Sequence, residues 1–527
     1  MNSFIKLNNI SFILPNGEKL FDNVNCTFSS EEKVALIGDN GSGKSTLLKM
    51  IVGEIKEATG TVSRSGSFLY IPQHISEVKG TIAEVLEISD IINALHQIEA
   101  GNSEYKLFEI ISNNWDIEEK NHEVLKKLDI DKPLSTNFQN LSGGEKEKIM
   151  LAKCLMSKAN FIILDEPTNN LDEETKQIIY NFIVSYKKGM IIVSHDRTLL
   201  EKISKIYELT KHGIETYGGN YNFYEAKKNH DKEILEQQKS FLNNEKKKLV
   251  QMKNKIQEQQ MKIAKNGRKS IENKKYSKVV ANSLVGSSDI SASKKNNKLD
   301  QKIQKNINEL YNVGVKLISE TIKIPIPDKP FIRNKLLEVN NISFGYSEKL
   351  ILNKISFVLS GDDRLQIIGK NGCGKSTLIK LIMGDLNPHT GSINLNGHAV
   401  YLDQELSLLS REKSILENML DFNSGINIQE AHAILANFKF RNLYADKKIS
   451  CLSGGEILRA SLAVILGTQK QPDLIVLDEP TNNLDIQSIK VLEEALKQYQ
   501  GAIIIVSHDN YFIQQIGITK KIILERS

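Results

Sequence analysis

Two nine-residue stretches, 38–46 (GDNGSGKST) and 369–377 (GKNGCGKST), crowd glycine, lysine and hydroxyl side chains together in a pattern suited to holding phosphate. Each follows a short apolar run, VALI or LQII, that reads as a buried strand, and each precedes an apolar-periodic segment that reads as a helix. In that setting the loop at Gly38, Asn40, Gly41 and Gly43, or at Gly369, Asn371, Gly372 and Gly374, can wrap its N–H groups around phosphates at the positive helix end. Lys44 or Lys375 then reaches the β/γ-phosphates, and Ser45 or Ser376 offers a hydroxyl to magnesium, with Thr46 or Thr377 beside it.

The phosphate chemistry needs a metal ligand and a group to act on water, and each half supplies both. FIILDE and LIVLDE read as central parallel strands whose Asp165 and Asp478 emerge beside the phosphate loop, placed to hold magnesium. The next carboxylate, Glu166 or Glu479, is placed to orient or polarise the attacking water. His195 and His508 each end another apolar strand (MIIVSH, AIIIVSH) and read as sensors of the γ-phosphate.

The chain is written twice. IKLNNISF near residue 5 matches LEVNNISF near residue 337, YIPQ ending at Gln73 matches YLDQ ending at Gln404, and LSGGE recurs at 141–145 and 452–456. LDEPTNNLD recurs at 164–172 and 477–485. From loop lysine to glutamine is 29 residues in both halves, and from Asp165 to His195 or Asp478 to His508 is 30. Two ordered sets at equal spacing mark a duplicated unit. The halves differ between glutamine and signature serine, 69 residues against 49, so the first half carries an excess of helical-looking sequence within 81–134 that includes Trp115.

Length and composition set the frame for these motifs. A chain of 527 residues fits several domains, and 40% hydrophobic with 25% charged residues is ordinary for globular protein. No run approaches the roughly 20 apolar residues of a membrane helix, and the start lacks a signal-peptide core, so a cytoplasmic location is expected. Cys26, Cys154, Cys373 and Cys451 stand far apart with no metal-ligand spacing, and neither zinc nor a disulfide framework is expected.

The positive charge is concentrated between the halves. Residues 225–320 hold 22 Lys and Arg against 11 Asp and Glu, a balance of +11 that leaves −6 for the rest of a chain whose total is +5. Leu235, Leu242, Leu249, Ile256 and Ile263 recur every seven residues, and a second stripe runs through Leu299, Ile303, Ile307 and Leu310. These predict two helices folded into an antiparallel hairpin. Lys262, Lys265, Arg268, Lys269, Lys274, Lys275 and Lys278 cluster toward the turn and are candidates for contact with RNA phosphate. The paucity of aromatics there favours backbone contact with folded RNA over base stacking.

Together the two phosphate loops, YxxQ glutamines, LSGGE, Asp-Glu strands and SHD motifs resemble the ATP-binding cassette ATPases. The resemblance implies an α/β fold with two P-loop ATP-binding cassette domains, each with a helical subdomain carrying LSGGE, joined by an α-helical hairpin linker. The expected boundaries are 1–222 for the first cassette, 223–332 for the linker and 333–527 for the second. It also implies two composite sites for ATP and Mg2+, formed because the cassettes pair within one chain, so a monomer is expected. Site one joins Lys44, Ser45, Gln73, Asp165, Glu166 and His195 to Ser453, Gly454 and Gly455; site two joins Lys375, Ser376, Gln404, Asp478, Glu479 and His508 to Ser142, Gly143 and Gly144. In this family Gln73 and Gln404 join the serine and aspartate around magnesium. The aromatic that stacks on adenine is matched by Tyr346, whereas the first half has Leu14 there, with Phe12 as the nearby aromatic.

With DEPTNNLD in both halves and YGGNYNFYEAKK opening the linker, the resemblance narrows to the ABC-F family. It implies a tandem-cassette ATPase whose partners are the ribosome, its rRNA and tRNA, acting in translation or in antibiotic resistance. Rival readings are the energising subunit of an importer, for which a basic hairpin has no use, and a DNA-maintenance ATPase, against which the missing zinc-ligand clusters argue.

Overall fold

The computed structural model describes residues 4–525 except 16, 18, 57–58, 74, 76–77, 170, 273–294, 314–323, 326–333, 347–348, 371 and 483. The chain divides into two compact units, Met1–Tyr221 with Thr321–Ser527, and Asn222–Glu320.

The first unit contains the sequence repeat as two copies of one architecture. In the first copy a six-stranded sheet runs in the order Phe68–Ile71, Phe161–Asp165, Gly189–Val193, Lys33–Ile37, Ile206–Thr210, Gly213–Tyr217, parallel except for the last strand. In the second a five-stranded parallel sheet runs Ala399–Leu402, Leu474–Asp478, Ala502–Val506, Arg364–Ile368, Lys520–Ile523. The strands FIILD and LIVLD are buried at every position. A parallel strand covered on both faces can be apolar throughout, and the change to aspartate marks where it leaves the core.

Each copy adds a three-stranded antiparallel sheet, Lys19–Ser29, Phe4–Ile13, Thr59–Ser65 and its counterpart Lys349–Leu359, Leu337–Tyr346, Thr390–Leu395. Ile5 and Leu7 of the first such sheet share a core with Leu47, Leu48 and Ile51 of the helix after the phosphate loop and with Phe161. That shared core fixes the helix, and hence the loop, against the central sheet.

LSGGE opens the helix Gly143–Met156 in one copy and Gly454–Leu466 in the other. Beside the first lie Ile82–Val85, Ser89–Glu99, Tyr105–Ile111 and Ile117–Lys127, where the second copy has only Ile415–Phe422 and Ile428–Asn437. The excess predicted within 81–134 is therefore helical, and Ala94, Leu95, Leu107 and Ile111 give it a small core of its own. Trp115 stays half exposed against Phe108.

In the second unit, the helix Tyr221–Glu272 continues far past the first apolar stripe, and a second helix spans 295–313. Leu242 and Val313 are buried together with Leu235 and Leu310 against them. Asn306 Nδ2 donates to Glu245 Oε2 at 3.2 Å, and Lys253 pairs with Asp300 at 2.5 Å. Contacts that climb one helix while descending the other make the pair antiparallel, as the two stripes predict. This unit spans Asn222–Glu320, whereas the linker as read from the sequence runs to 332. By Ile324 the chain is attached to the second cassette, where its N–H donates to Gln498 Oε1 at 3.2 Å and the Pro325 carbonyl accepts from Gln471 Nε2 at 2.9 Å.

Candidate functional site: two nucleotide sites between paired cassettes

Both phosphate loops end on a glycine in the left-handed region, Gly43 with φ 94° and Gly374 with φ 102°. A side chain would be strained there, and a Cβ on Gly43 would meet Leu20 Cδ2 at 2.6 Å. The lysine that follows lies over the loop. Lys44 Nζ donates to the carbonyls of Gly38 (2.7 Å) and Asp39 (3.1 Å), and Lys375 Nζ to those of Gly369 (2.7 Å) and Lys370 (3.2 Å).

The two glutamates also occupy the left-handed region, Glu166 at φ 53° and Glu479 at φ 47°. Non-glycine residues adopt it rarely and at a cost of about 1–3 kcal/mol, so the surroundings must hold them. Their N–H groups donate to Val193 O (2.9 Å) and Val506 O (2.8 Å) on the neighbouring strand. The turn thus carries each carboxylate sideways to the histidine that ends that strand. Glu166 Oε1 lies 3.4 Å from His195 Nε2, and Glu166 Oε2 accepts the His195 N–H at 3.3 Å. The second copy repeats this, with 3.4 Å from Glu479 to His508 Nε2 and 3.4 Å to its N–H.

Burial governs the charge of these groups. It raises the Glu166 carboxyl to about 8, against the pull of Lys44, and lowers His195 to about 3, with Lys44 adding to the effect. Burial likewise raises Glu479 to about 7 and lowers His508 to about 4. Near pH 7 both imidazoles are neutral, and both glutamates titrate in the working range, where a group that exchanges protons with water is most useful.

A cavity of about 560 Å³ forms site one, lined by Asn40, Gly41, Gly43, Lys44, Ser45, Thr46, Gln73, Asp165, Glu166 and His195 from the first cassette and Gly454 from the second. A cavity of about 480 Å³ forms site two, lined by Gly372, Gly374, Lys375, Ser376, Thr377, Gln404, Asp478, Glu479 and His508, with Leu171 and Lys176 crossing from the first cassette. Asn371 lies outside the described residues. Ser376 Oγ donates to Asp478 Oδ2 at 2.8 Å, and Tyr401 hydroxyl to the same oxygen at 3.3 Å.

The signature serines begin their helices, as the resemblance implies. Ser142 and Ser453 are N-caps that exchange hydrogen bonds with Glu145 and Glu456, which explains the glutamate of LSGGE as half of a capping box. Of the two signatures, only Gly454 lines a nucleotide cavity. Gly455 is buried, and a Cβ there would meet Ser488 Oγ at 2.1 Å, while Ser142, Gly143 and Gly144 are not part of the lining of site two. Leu14 and Leu20 line site one, whereas Tyr346 is half exposed, set edge-on to Phe344, and Ile351 lines site two instead.

Two participants were not apparent in the sequence. Asp485, the last residue of the second LDEPTNNLD, accepts the Asn40 N–H from the opposite phosphate loop at 2.8 Å while capping its own helix at Ser488 (2.7 Å). Lys176, one turn beyond the first LDEPTNNLD, reaches site two and pulls down both Glu479 and His508. Its spacing from Asp172 places it on the same helix face, but nothing local shows that this face meets the other cassette.

The hairpin candidates are only partly described. Lys262 and Lys265 are exposed on the long helix; Arg268 and Lys269 lie in that helix with side chains outside the described residues, and Lys274, Lys275 and Lys278 lie outside them altogether.

Two parallel sheets with phosphate loops at their strand ends, each closed by residues of the other copy, define a tandem ATP-binding cassette ATPase. The family model described as ABC transporter matches residues 21–169 and 352–482. ABC transporter F family member 2 of Arabidopsis thaliana is 30% identical over 548 residues, covering 98% of this chain and 76% of the relative. The energy-dependent translational throttle protein EttA of Escherichia coli is 28% identical over 547 residues, covering 97% and 90%. Among solved structures, the archaeal ribosome recycling factor aABCE1 in complex with a ribosomal stalk protein has the same fold, with a TM-score of 0.59 at 18% identity over 98% of this chain and 87% of that one. This chain belongs to the ABC-F family of ATP-binding cassette proteins and hydrolyses ATP. Among the described residues no helix is long and apolar enough to cross a membrane.

Proposed function

We propose that this ATPase works in the cytoplasm on the ribosome: it binds with ATP held between its cassettes, adjusts the bound tRNA or the peptidyl-transferase region through the basic hairpin, and leaves after hydrolysis. The observation that carries this reading is the hairpin itself, an antiparallel helix pair in a segment with twice as many basic as acidic residues, while the cassettes are net acidic. Such a charge division suits a phosphate backbone as partner. The names of two similar proteins, a translational throttle and a ribosome recycling factor, support the same direction.

In the chemistry proposed for each site, the loop amides with Lys44 or Lys375 bind the phosphates. Ser376 and Asp478 suit magnesium, since a hydroxyl and a carboxylate converge to 2.8 Å as hard oxygen donors; Gln404 completes the set, and Ser45, Asp165 and Gln73 are its counterparts in site one. Bound there, magnesium neutralises charge developing on the phosphates. Glu166 or Glu479 orients the attacking water and takes its proton, and the neutral His195 or His508 holds that carboxylate in place and faces the γ-phosphate. With ATP bound, the serine and glycines of each LSGGE would close the opposite site, a role the structure supports only through Gly454 in the lining of site one, and the chain acts as a monomer.

The test is sedimentation of the E166Q/E479Q protein with ribosomes in ATP. Co-sedimentation that needs ATP and weakens with salt is expected; a protein that binds ATP but stays in the supernatant rejects the ribosome reading.

A further inference from the structure

Two ion pairs join the cassettes among the described residues: Lys370 of the site-two loop meets Glu174 at 2.9 Å in an exposed contact, and the other is buried. Arg197, two residues after His195, is the largest fully buried side chain among the described residues, and its Nη1 donates to Glu493 Oε1 of the second cassette at 2.7 Å. The side chains are 1% and 8% exposed. The guanidinium also lies 5.2 Å from the ring centre of Tyr511, three residues after His508. A charge this deep is tolerated only while its partner is present, so the pair forms when the cassettes face each other. Arginine suits the position because its planar group can bond the carboxylate and lie on the ring at once.

Both ends of the pair lead to site one. Arg197 opens the helix Arg197–Glu201 that His195 and Asp196 enter. Glu493 lies on the helix Ile486–Gln498, whose capping residue Asp485 holds the Asn40 amide of the site-one loop. The duplicate places are occupied differently. Asn510 takes the place of Arg197 and reaches Glu173 at 3.4 Å in an exposed contact, and Tyr180 takes the place of Glu493 and donates its hydroxyl to Asp196 of its own cassette.

We propose that Arg197 is a positioning residue for site one: its buried pair with Glu493 locks the His195 turn and the Asp485 cap into the closed geometry around the site-one nucleotide, a lock that site two lacks. This rests on the ATPase activity and on ATP held between the cassettes, and not on the ribosome as partner. R197Q or E493Q leaves a buried charge without its mate and can unfold the chain, so the decisive variant is R197M/E493L, which keeps the buried volume and removes both charges.

The experiment introduces R197M/E493L into E166Q/E479Q and counts radiolabelled ATP retained per chain after rapid gel filtration. The parent is expected to retain two ATP and the quadruple variant one, because site one no longer closes. Retention of two by the quadruple variant overturns the proposal, as does retention of none with an unchanged melting temperature, which makes the pair a general clamp. A parent that retains no ATP instead rejects the nucleotide sandwich on which the proposal rests. With E479Q, which leaves turnover to site one, R197M/E493L is expected to lower kcat about tenfold, and with E166Q, which leaves turnover to site two, by less than about twofold. An unchanged kcat in the E479Q background overturns the proposal.

Discussion

Sites one and two share every catalytic motif and differ in what the opposite cassette brings to them. Site one receives Gly454 in its lining and Asp485 on its phosphate loop, while the residue one turn beyond Asp485 is the buried, neutral Ile489. Site two receives Leu171 and the cation Lys176, which stands at the place matching Ile489. The burial that raises Glu166 to about 8 raises Glu479 only to about 7, where Lys176 is first among the charges opposing it. Duplication preserved the catalytic motifs of each cassette, and the electrostatic difference between the sites comes from side chains that reach across.

The largest effect should come from the carboxylates. E166Q and E479Q each remove the group proposed to handle the attacking water, and the double variant is expected to lose at least ~10²-fold in ATP turnover, measured by phosphate release. A double variant that turns over near the wild-type rate would break the assignment for both sites together.

The signatures should respond unequally. G455A drives a methyl into Ser488 Oγ and is expected to destabilise the protein by about 1–3 kcal/mol, whereas G144A enters open space and should shift stability by less than about 0.5 kcal/mol. Urea denaturation of the two variants makes the comparison. Equal effects would show that both signature helices pack alike within their own cassettes.

The smallest effect is a displaced pH profile. A carboxyl must lose its proton before it can take one from water, so turnover rises as pH passes through the glutamate pKa. Replacing Lys176 by isoleucine, the residue type at the matching place, removes a cation that holds Glu479 down. The site-two profile, measured with E166Q, should move upward by about one pH unit, toward the site-one profile measured with E479Q. At pH 7 this appears as a loss of site-two turnover. Profiles that coincide before the substitution would remove the electrostatic difference between the sites.

Much of the site was legible because phosphate chemistry constrains local sequence. A loop that wraps phosphate with backbone amides needs glycines at set intervals, and Gly43 and Gly374 are left-handed where the motif has them. A central strand that ends in a metal-binding acid must be apolar up to that acid, and FIILD and LIVLD are buried to the last residue. The seven-residue stripes likewise foretold the hairpin, because a two-helix pair has only one face to bury. Asn306 was not foreseen: it is buried in that face because Glu245 supplies its partner.

Contiguous residues with a fixed period or spacing carry the inventory: two cassettes, their loops, acids, histidines and LSGGE motifs, and a basic helical hairpin. Tertiary structure alone decided which residues face one another across the cassettes. Lys176, Asp485, Arg197 and Glu493 read locally as charges on or beside helices, and their roles come from partners hundreds of residues away or from the opposite cassette's cavity. The physical reason is that desolvation sets the strength of a charge contact, and the burial of these side chains is settled only when the two cassettes meet.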